Sequence, residues 1–204
     1  ADSVPGSDHE GKVLLSEETR PGQVSYQCLL PQELDNLLVT VCVSSSHIGW
    51  GTIRLEPVWM QIGESAGYAL ALARQLQVAP AALPADALRR KLVENHILLG
   101  LFNEFDMRAP TGAQRAAQYF VTQGFFPAYS ARLDAPLTRA VAAVWAKPDA
   151  EANATARGVA EADKSDGPAL TAAEFAQLAG RAWPDAPAGP LSRGAACAWL
   201  YSAR

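Results

Sequence analysis

Four side chains that can do chemistry lie within ten residues of one another: His47, Trp50, Arg54 and Glu56. A histidine exchanges protons near neutral pH, and an arginine keeps its positive charge. A tryptophan beside them offers a flat apolar wall. Side chains of these types could hold an electron-rich ligand and exchange a proton with it. A structural alternative stays open, in which His47 only holds the backbone, Trp50 packs, and Arg54 and Glu56 pair with each other.

An apolar run rich in β-branched residues, 37–43, precedes this cluster. A continuous run of this kind predicts a strand covered on both faces, as at the centre of an α/β sheet. Residues 23–30 alternate and predict another strand, and Val13-Leu14-Leu15 predicts a short one within a loose lead-in. The expected fold class is mixed α/β but mostly helical, with few strands, all in the N-terminal part.

A long helix follows the cluster, and we expect it to begin at Pro57 and to end near residue 77. Proline suits the first helical position, because its missing N–H would be unpaired there. Two glycines inside the helix, Gly63 and Gly67, each cost about 1 kcal/mol relative to alanine. Another element or a ligand should therefore approach the backbone at that point. Two apolar faces predict a mostly buried helix: Val58, Ile62, Ala66, Ala69, Ala73 and Leu76 on one, and Met60, Gly63, Gly67 and Ala71 on the other.

Together these elements predict a strand-loop-helix unit. Open α/β sheets bind ligands at the carboxyl ends of their strands. The start of a helix adds unpaired N–H groups and the positive end of the helix dipole, which suit an anionic or electron-rich atom. Arg54 places a cation beside that point. The alternative is a connection with a structural role only.

Residues 20–145 resemble the C-terminal part of a family of FAD-dependent oxidoreductases with a glutathione-reductase-type flavin domain. The family pattern combines an apolar strand, a Ser/Thr-His element, an Arg-x-Glu-Pro turn and a glycine-bearing helix. The matching residues are Asn36-Leu37-Leu38-Val39, Ser46-His47, Gly51-Thr52-Ile53-Arg54-Leu55-Glu56-Pro57 and Met60-Gln61-Ile62-Gly63-Glu64-Ser65-Ala66-Gly67, with Tyr26-Gln27-Cys28-Leu29-Leu30-Pro31 before them and Gln118-Tyr119-Phe120 and Gly124-Phe125-Phe126-Pro127 after them.

The resemblance implies FAD as the cofactor and a small molecule as the substrate. It implies that the loop and helix start lie against the isoalloxazine and ribityl groups, where backbone N–H groups stabilise the negative charge of reduced flavin. His47 is then the candidate acid/base, and Trp50 faces the substrate. The residues implied to contact the cofactor are Ser46, Gly51, Thr52, Arg54, Leu55, Glu56, Pro57 and Gly63.

One part of the family pattern is missing from the sequence. A flavin domain of this type holds the ADP pyrophosphate with a strand, a Gly-x-Gly-x-x-Gly loop and a helix. Gly49-Trp50-Gly51 lacks the third glycine and the following Rossmann helix. We therefore expect the FAD-binding N-terminal portion, or a second chain of the same enzyme, to be a partner. We expect this chain alone neither to hold FAD tightly nor to turn over. The alternative is a non-catalytic helical interaction module that carries a relic flavin-domain segment.

The rest of the chain is expected to be helical. Residues 86–96 and 112–122 predict helices, the second capped by Thr111, and residues 124–127 predict an aromatic turn docked on the core. Three similar stretches, 136–139, 168–171 and 190–193, each place a Thr or Ser to cap a following helix, so we expect a small bundle. Residues 149–167 predict a mobile linker or frayed helix. The expected division is 1–79 for the flavin-domain part, 80–148 for a helical region and 149–204 for a linker with a small helical tail.

Composition excludes several classes of function. The formal net charge is −4 and no basic stripe carries interleaved aromatics, which argues against a nucleic-acid partner. Charges and prolines interrupt every apolar stretch before membrane-spanning length. We expect Cys28, Cys42 and Cys197 to be buried small residues, and no His or Cys spacing predicts a metal site. A calcium loop over residues 163–174 is a weak alternative to a capped helix start at Thr171.

Overall fold

The computed structural model of the protein describes residues 22–106, 108–147, 151–165 and 167–203. These residues are mostly helical, as the sequence predicts. Two short 3-10 helices, Tyr26–Leu29 and Pro80–Ala82, accompany the α-helices. The α-helices are α1 His47–Ile53, α2 Glu56–Leu76, α3 Ala85–Glu94, α4 Gly112–Val121, α5 Arg139–Trp145, α6 Ala152–Ala162, α7 Ala172–Leu178 and α8 Arg193–Ser202.

The strand predictions for residues 23–30 and 37–43 are wrong. The first stretch contains a 3-10 helix, and the second is an irregular chain with bends that leaves Leu37 and Val41 42% and 45% exposed. A buried parallel strand needs neighbours on both sides, and the described residues supply no sheet for it. Two hydrogen bonds, Val39 N–H to Leu29 O and Ser44 N–H to Cys28 O, tie the stretches together instead. Val13-Leu14-Leu15 lies outside the described residues.

The long helix α2 forms close to the predicted bounds. It begins one residue before Pro57 and ends at Leu76, with Gln77 in the left-handed conformation after it. The expected burial is correct for one face only. Four residues of that face are buried, whereas Leu76 is 45% exposed and Met60 is 75% exposed. The buried ones are Ile62, Ala66, Ala69 and Ala73.

Helices α3 and α4 form as predicted, with Thr111 and Gln114 completing a capping box at the start of α4. A polar junction joins these two helices. The Tyr119 hydroxyl donates a hydrogen bond to the Asp86 carboxylate, and the Arg90 guanidinium lies 5.3 Å from the centre of the Tyr119 ring. Burial acts to raise the pKa of Asp86, but the hydrogen bonds from Tyr119 and Arg90 outweigh it and hold that pKa below its usual value.

The three similar stretches of the C-terminal part meet in a closed ring of hydrogen bonds. Leu170 N–H donates to Leu137 O at 2.9 Å, Leu191 N–H to Leu170 O at 2.7 Å, and Leu137 N–H to Leu191 O at 2.8 Å. Each leucine is at most 3% exposed. The next residue of each stretch caps a helix: Thr138 caps α5, Thr171 caps α7 and Ser192 caps α8. The predicted caps are therefore confirmed, and residues of α5, α7 and α8 share one hydrophobic core.

Residues 149–167 were expected to form a mobile linker or a frayed helix, and the described part of this stretch favours the helix. Residues 152–162 form α6, which packs against α5. Thr155 and Val159 lie one turn apart and are 3% and 0% exposed. The alanine-rich composition explains the helix, because small side chains favour a helix and allow close packing. Asp163, directly after α6, forms ion pairs with Arg132 and the buried Arg193.

Candidate functional site

The cluster of candidate residues lies on α1 and the turn into α2. Ser46 caps α1, since its Oγ accepts a hydrogen bond from Gly49 N–H at 3.1 Å. The Thr52 hydroxyl donates to Gly49 O at 2.7 Å and holds the next turn. His47 is the first residue of α1 and is exposed. A local serine cap and a threonine bond therefore position the histidine, where the sequence predicts a loop.

Trp50 lies on the inner side of α1. Its ring centre is 5.7 Å from that of Trp59 on α2, with a tilted arrangement. Both rings pack against the buried residues Leu29, Val43 and Ile62. Trp50 is half-buried, so one part of the ring packs in this small core while another reaches solvent. The packing interpretation of Trp50 is thus confirmed, and a substrate-facing role remains a prediction.

The turn before α2 leaves backbone donors open. Leu55 is the residue before the helix, and its side chain cannot accept a hydrogen bond as Ser, Thr, Asp or Asn would. Val58 and Trp59 donate their N–H groups to Leu55 O, and Pro57 has none. The N–H groups of Leu55 and Glu56 have no hydrogen bond within the described part of the chain. Two donors at the positive end of a 21-residue helix therefore have no partner among the described residues.

Charged side chains flank this turn. Arg54 and Glu56 are both exposed, and no ion pair joins them in the described ranges, so their pairing is not observed. Arg54 directly follows α1, and His47 begins it. Seven residues of helix separate the two by about 10 Å. The structure thus brings Arg54 to the open donors and leaves His47 at the far end of α1.

The glycines of the site have free space around them. A methyl group built on Gly51 or Gly63 would meet no atom within 4 Å, and the same is true of Gly67. The glycines predict that another element or a ligand comes close to the backbone. No described residue of this chain makes that approach. Gly51 is exposed and Gly63 is half-buried on α2.

Comparison with known proteins agrees with the sequence pattern. Residues 4–92 match the family described as FAD dependent oxidoreductase. This segment is similar to that family over the matched residues. The match covers 89 of the 204 residues (4 to 92 inclusive) and includes α1, α2 and most of α3. Searches among curated proteins and among solved structures found no match. We call residues 22–92 the flavoprotein segment and helices α4–α8 the helical unit.

The flavoprotein segment carries a surface that the motif analysis missed. Nine of the twelve large apolar side chains that are exposed among the described residues belong to it. The sequence of α2 contains a signal for this surface. Met60 and Leu70 lie at helical spacing on the same face as Gly63 and Gly67. These nine are Leu34, Leu37, Val41, Ile48, Leu55, Met60, Leu70, Leu76 and Val78.

The remaining candidates from the sequence are the calcium-loop pattern, a metal site and the three cysteines. Asp163 is engaged by two arginines, and the Glu174 carboxylate closes the capping box of Thr171, so neither end of the calcium-loop pattern offers an open ligand. No group of three His, Cys, Asp or Glu side chains in the described ranges has the arrangement of a metal site. Cys197 is buried as expected and burial raises its thiol pKa, but Cys42 is exposed, which contradicts the expectation for it.

No helix in the described ranges combines the length and the apolar character needed to cross a bilayer.

Proposed function

We propose that the flavoprotein segment completes the flavin site of an FAD-dependent oxidoreductase whose FAD-binding N-terminal portion is absent from this chain. The observation that carries the proposal is the uncapped start of α2, where the N–H groups of Leu55 and Glu56 are open beside Arg54. Five of the eight described α-helices have a Ser or Thr cap, whereas α2, α3 and α6 have none, and α2 is the longest of these three. Departures from local rules of this kind are expected at functional sites.

The donor set suits one edge of a flavin. Open N–H groups at a helix start and an arginine favour an electron-rich or anionic atom, which matches the N1 and C2-carbonyl region. Gly51 and Gly63 leave room for a flat ring or ribityl chain to come close to the backbone. Bound FAD supplies the redox chemistry, and this chain supplies the positioning. Thr52 and Ser46 hold α1 in place, while Glu56 and Pro57 shape the turn.

The same residues do not form a whole flavin site. The turn is exposed, and the sequence holds no Gly-x-Gly-x-x-Gly unit for the pyrophosphate. The exposed apolar side chains of this segment are the kind that a larger domain covers. These facts support a partner that brings most of the FAD contacts. A small-molecule substrate then lies between that partner and the Trp50 side of the turn.

Intact mass and visible absorption of natively purified material test the proposal. We expect a second polypeptide with a Gly-x-Gly-x-x-Gly sequence together with flavin absorption. Arg54→Ala and Leu55→Asp should lower the flavin content of that assembly, since one removes the cation and the other adds a negative charge at the turn. Glu33→Ala, at an exposed position outside the turn, is the control. A colourless single chain contradicts the proposal.

His47 is proposed as the acid/base of the assembled enzyme. In the assembly, His47→Gln should lower turnover by about 10²–10⁴-fold, the usual contribution of such a group, without changing the flavin content. Asn95→Gln, at an exposed position at the end of α3, is a control for general effects. Unchanged turnover would give His47 a structural role.

A non-catalytic interaction module is the second candidate function. It is favoured by the contrast between the well-packed helical unit and the flavoprotein segment without strands. A chain that is folded, monomeric and indifferent to FAD would support this candidate over the first.

A further inference from the structure

One side of α2 carries a pattern that is complementary to itself. Six residues follow each other at alternating spacings of four and three, which places them in one line along the helix. They run from an acid through apolar and glycine positions to a base. We call this line the α2 outer face: Glu56, Met60, Gly63, Gly67, Leu70 and Arg74.

The α2 outer face is accessible in the described structure. Met60 and Leu70 are 75% and 46% exposed, and Gly67 and both charged residues are exposed as well. Gly63 is half-buried, because the line runs beside the face that packs into the core. The Glu56 and Arg74 side chains have no ion-pair partner in the described part of the chain. Each end of the line therefore offers an unused charge.

We propose that a second copy of this chain packs on the α2 outer face, antiparallel, about a twofold axis between Gly63 and Gly67. In this register Glu56 of one copy faces Arg74 of the other, and Met60 faces Leu70. The two residues of each facing pair lie at equal distances on either side of the same point of α2. A single register therefore aligns all the pairs. The twofold axis then repeats each contact, as in isologous dimers generally.

Charge selects the antiparallel direction. Antiparallel helices bring an acid against a base at both ends of the line, whereas parallel helices would bring Glu56 against Glu56 and Arg74 against Arg74. Opposite helix dipoles add to the same preference. The two ion pairs would be about 27 Å apart, at 1.5 Å per residue of helix.

The centre of the line explains the two glycines. A side chain at Gly63 or Gly67 would extend into open space, since no atom of the described residues lies within 4 Å of either built position. In the pair, Gly63 of one copy faces Gly67 of the other, which lets the two backbones approach closely. The apolar layers of Met60 and Leu70 lie on each side of this contact and exclude water from it.

The proposed pair is weak enough to be reversible. One helix from each copy buries less than the roughly 1,200 Å² that stable complexes bury. Gly63 belongs to this face and also to the proposed flavin site, so the pair has to separate before an FAD-binding portion docks there. The pairing itself rests on the pattern of α2 and does not depend on the flavin proposal.

Sedimentation of the whole chain over a concentration series tests the pairing. We expect a reversible monomer–dimer equilibrium for the natural chain. Glu56→Arg and Arg74→Glu should each raise the dissociation constant at least about tenfold, which is a loss of about 1.4 kcal/mol. The double variant Glu56→Arg/Arg74→Glu should recover most of the affinity, because the acid–base pairs form again with reversed sense. Glu33→Arg makes the same charge change at an exposed position outside α2 and should have no effect.

Three results would overturn the pairing. A natural chain that stays monomeric at every concentration would assign the face to another occupant, such as the FAD-binding portion. A double variant as weak as the single variants would exclude the antiparallel register. A dimer that no variant changes would lie on another surface. Circular dichroism of each variant shows that the helices are intact, so a loss of pairing is not confused with unfolding.

Discussion

The helical unit and the flavoprotein segment bury their apolar side chains to different extents. The helical unit buries its large residues among themselves, with Phe120, Trp145 and Phe175 at most 2% exposed. The flavoprotein segment holds two small clusters and leaves residues such as Ile48 and Met60 mostly exposed. One region therefore encloses its own core, whereas the other leaves much of its apolar surface exposed in the described structure. The difference teaches that the recognisable motif and the stable core of this protein lie in different places.

Truncation of one large side chain in each region should give the largest difference between the regions in the free energy of unfolding. Phe120→Ala removes a fully buried ring that stacks on Phe125, and we expect a loss of about 3–5 kcal/mol in the free energy of unfolding. Met60→Ala removes a side chain that is 75% exposed, and we expect a change within about 0.5 kcal/mol. Urea denaturation measures both. Equal losses would mean that α2 is covered in the isolated chain; a stable second copy is one way to produce that result.

The Asp163 ion pairs should have the next largest effect. Arg193 is 5% exposed, and its guanidinium is held by the Asp163 carboxylate. Asp163→Asn leaves a buried cation without its counter-charge, which costs about 3 kcal/mol in such sites. Glu161→Gln changes an exposed pair with Lys164 nearby and should leave the stability within about 0.5 kcal/mol of the natural chain. A small effect of Asp163→Asn in urea denaturation would place Arg193 in a wetter environment than its burial indicates.

Changes to helix caps should have smaller effects on stability, of opposite sign in the two regions. Thr171→Ala should destabilise the helical unit by about 1 kcal/mol, because it removes the cap of α7. Leu55→Ser adds the missing cap of α2 and should stabilise the flavoprotein segment by about 0.5–1 kcal/mol. Thermal denaturation followed by circular dichroism measures both changes. If Leu55→Ser destabilises the chain, the Leu55 side chain is covered in solution, contrary to its 52% exposure here.

The Asp86 bonds at the junction of α3 and α4 should make the smallest contribution to stability. That contribution should depend on pH. The folded pKa of Asp86 is below its ordinary value of 3.8, so its bonds to Tyr119 and Arg90 stabilise the chain above that pH. The contribution is lost as the pH falls through the lowered folded value. The difference in unfolding free energy between the natural chain and Asp86→Asn should be less than about 1 kcal/mol at pH 6, since Asp86 is half exposed, and should shrink toward pH 3. A difference that grows on acidification contradicts this assignment.

The helical unit was largely predictable from the sequence, because its signals are local. Thr111, Thr138, Thr171 and Ser192 each cap the helix that the sequence assigns to them. A cap and its helix lie within one turn, so neighbouring residues determine them. The ring through Leu137 was not predictable, because it depends on contacts between segments that are far apart in the chain.

The flavoprotein segment was predicted in its helix but not in its strands. Residues 37–43 have the composition of a central strand, yet a strand forms only against a neighbour, and the described residues provide none. The motif from Gly51 to Pro57 indicated the family whose model matches residues 4–92, since it is read from residue types and not from tertiary contacts. The open donors of Leu55 and Glu56 were visible only once the hydrogen bonds of the turn were known.

Amide hydrogen exchange of the whole chain tests the contrast between the regions most directly. We expect the backbone N–H groups of α4 and α8, and the ring around Leu191, to exchange most slowly, because they open only on global unfolding. Those of α1 and of residues 30–46 should exchange orders of magnitude faster in the isolated chain. Slow exchange in α1 and in residues 30–46 that matches α8 would contradict the account, since it would mean that the flavoprotein segment is complete without a partner.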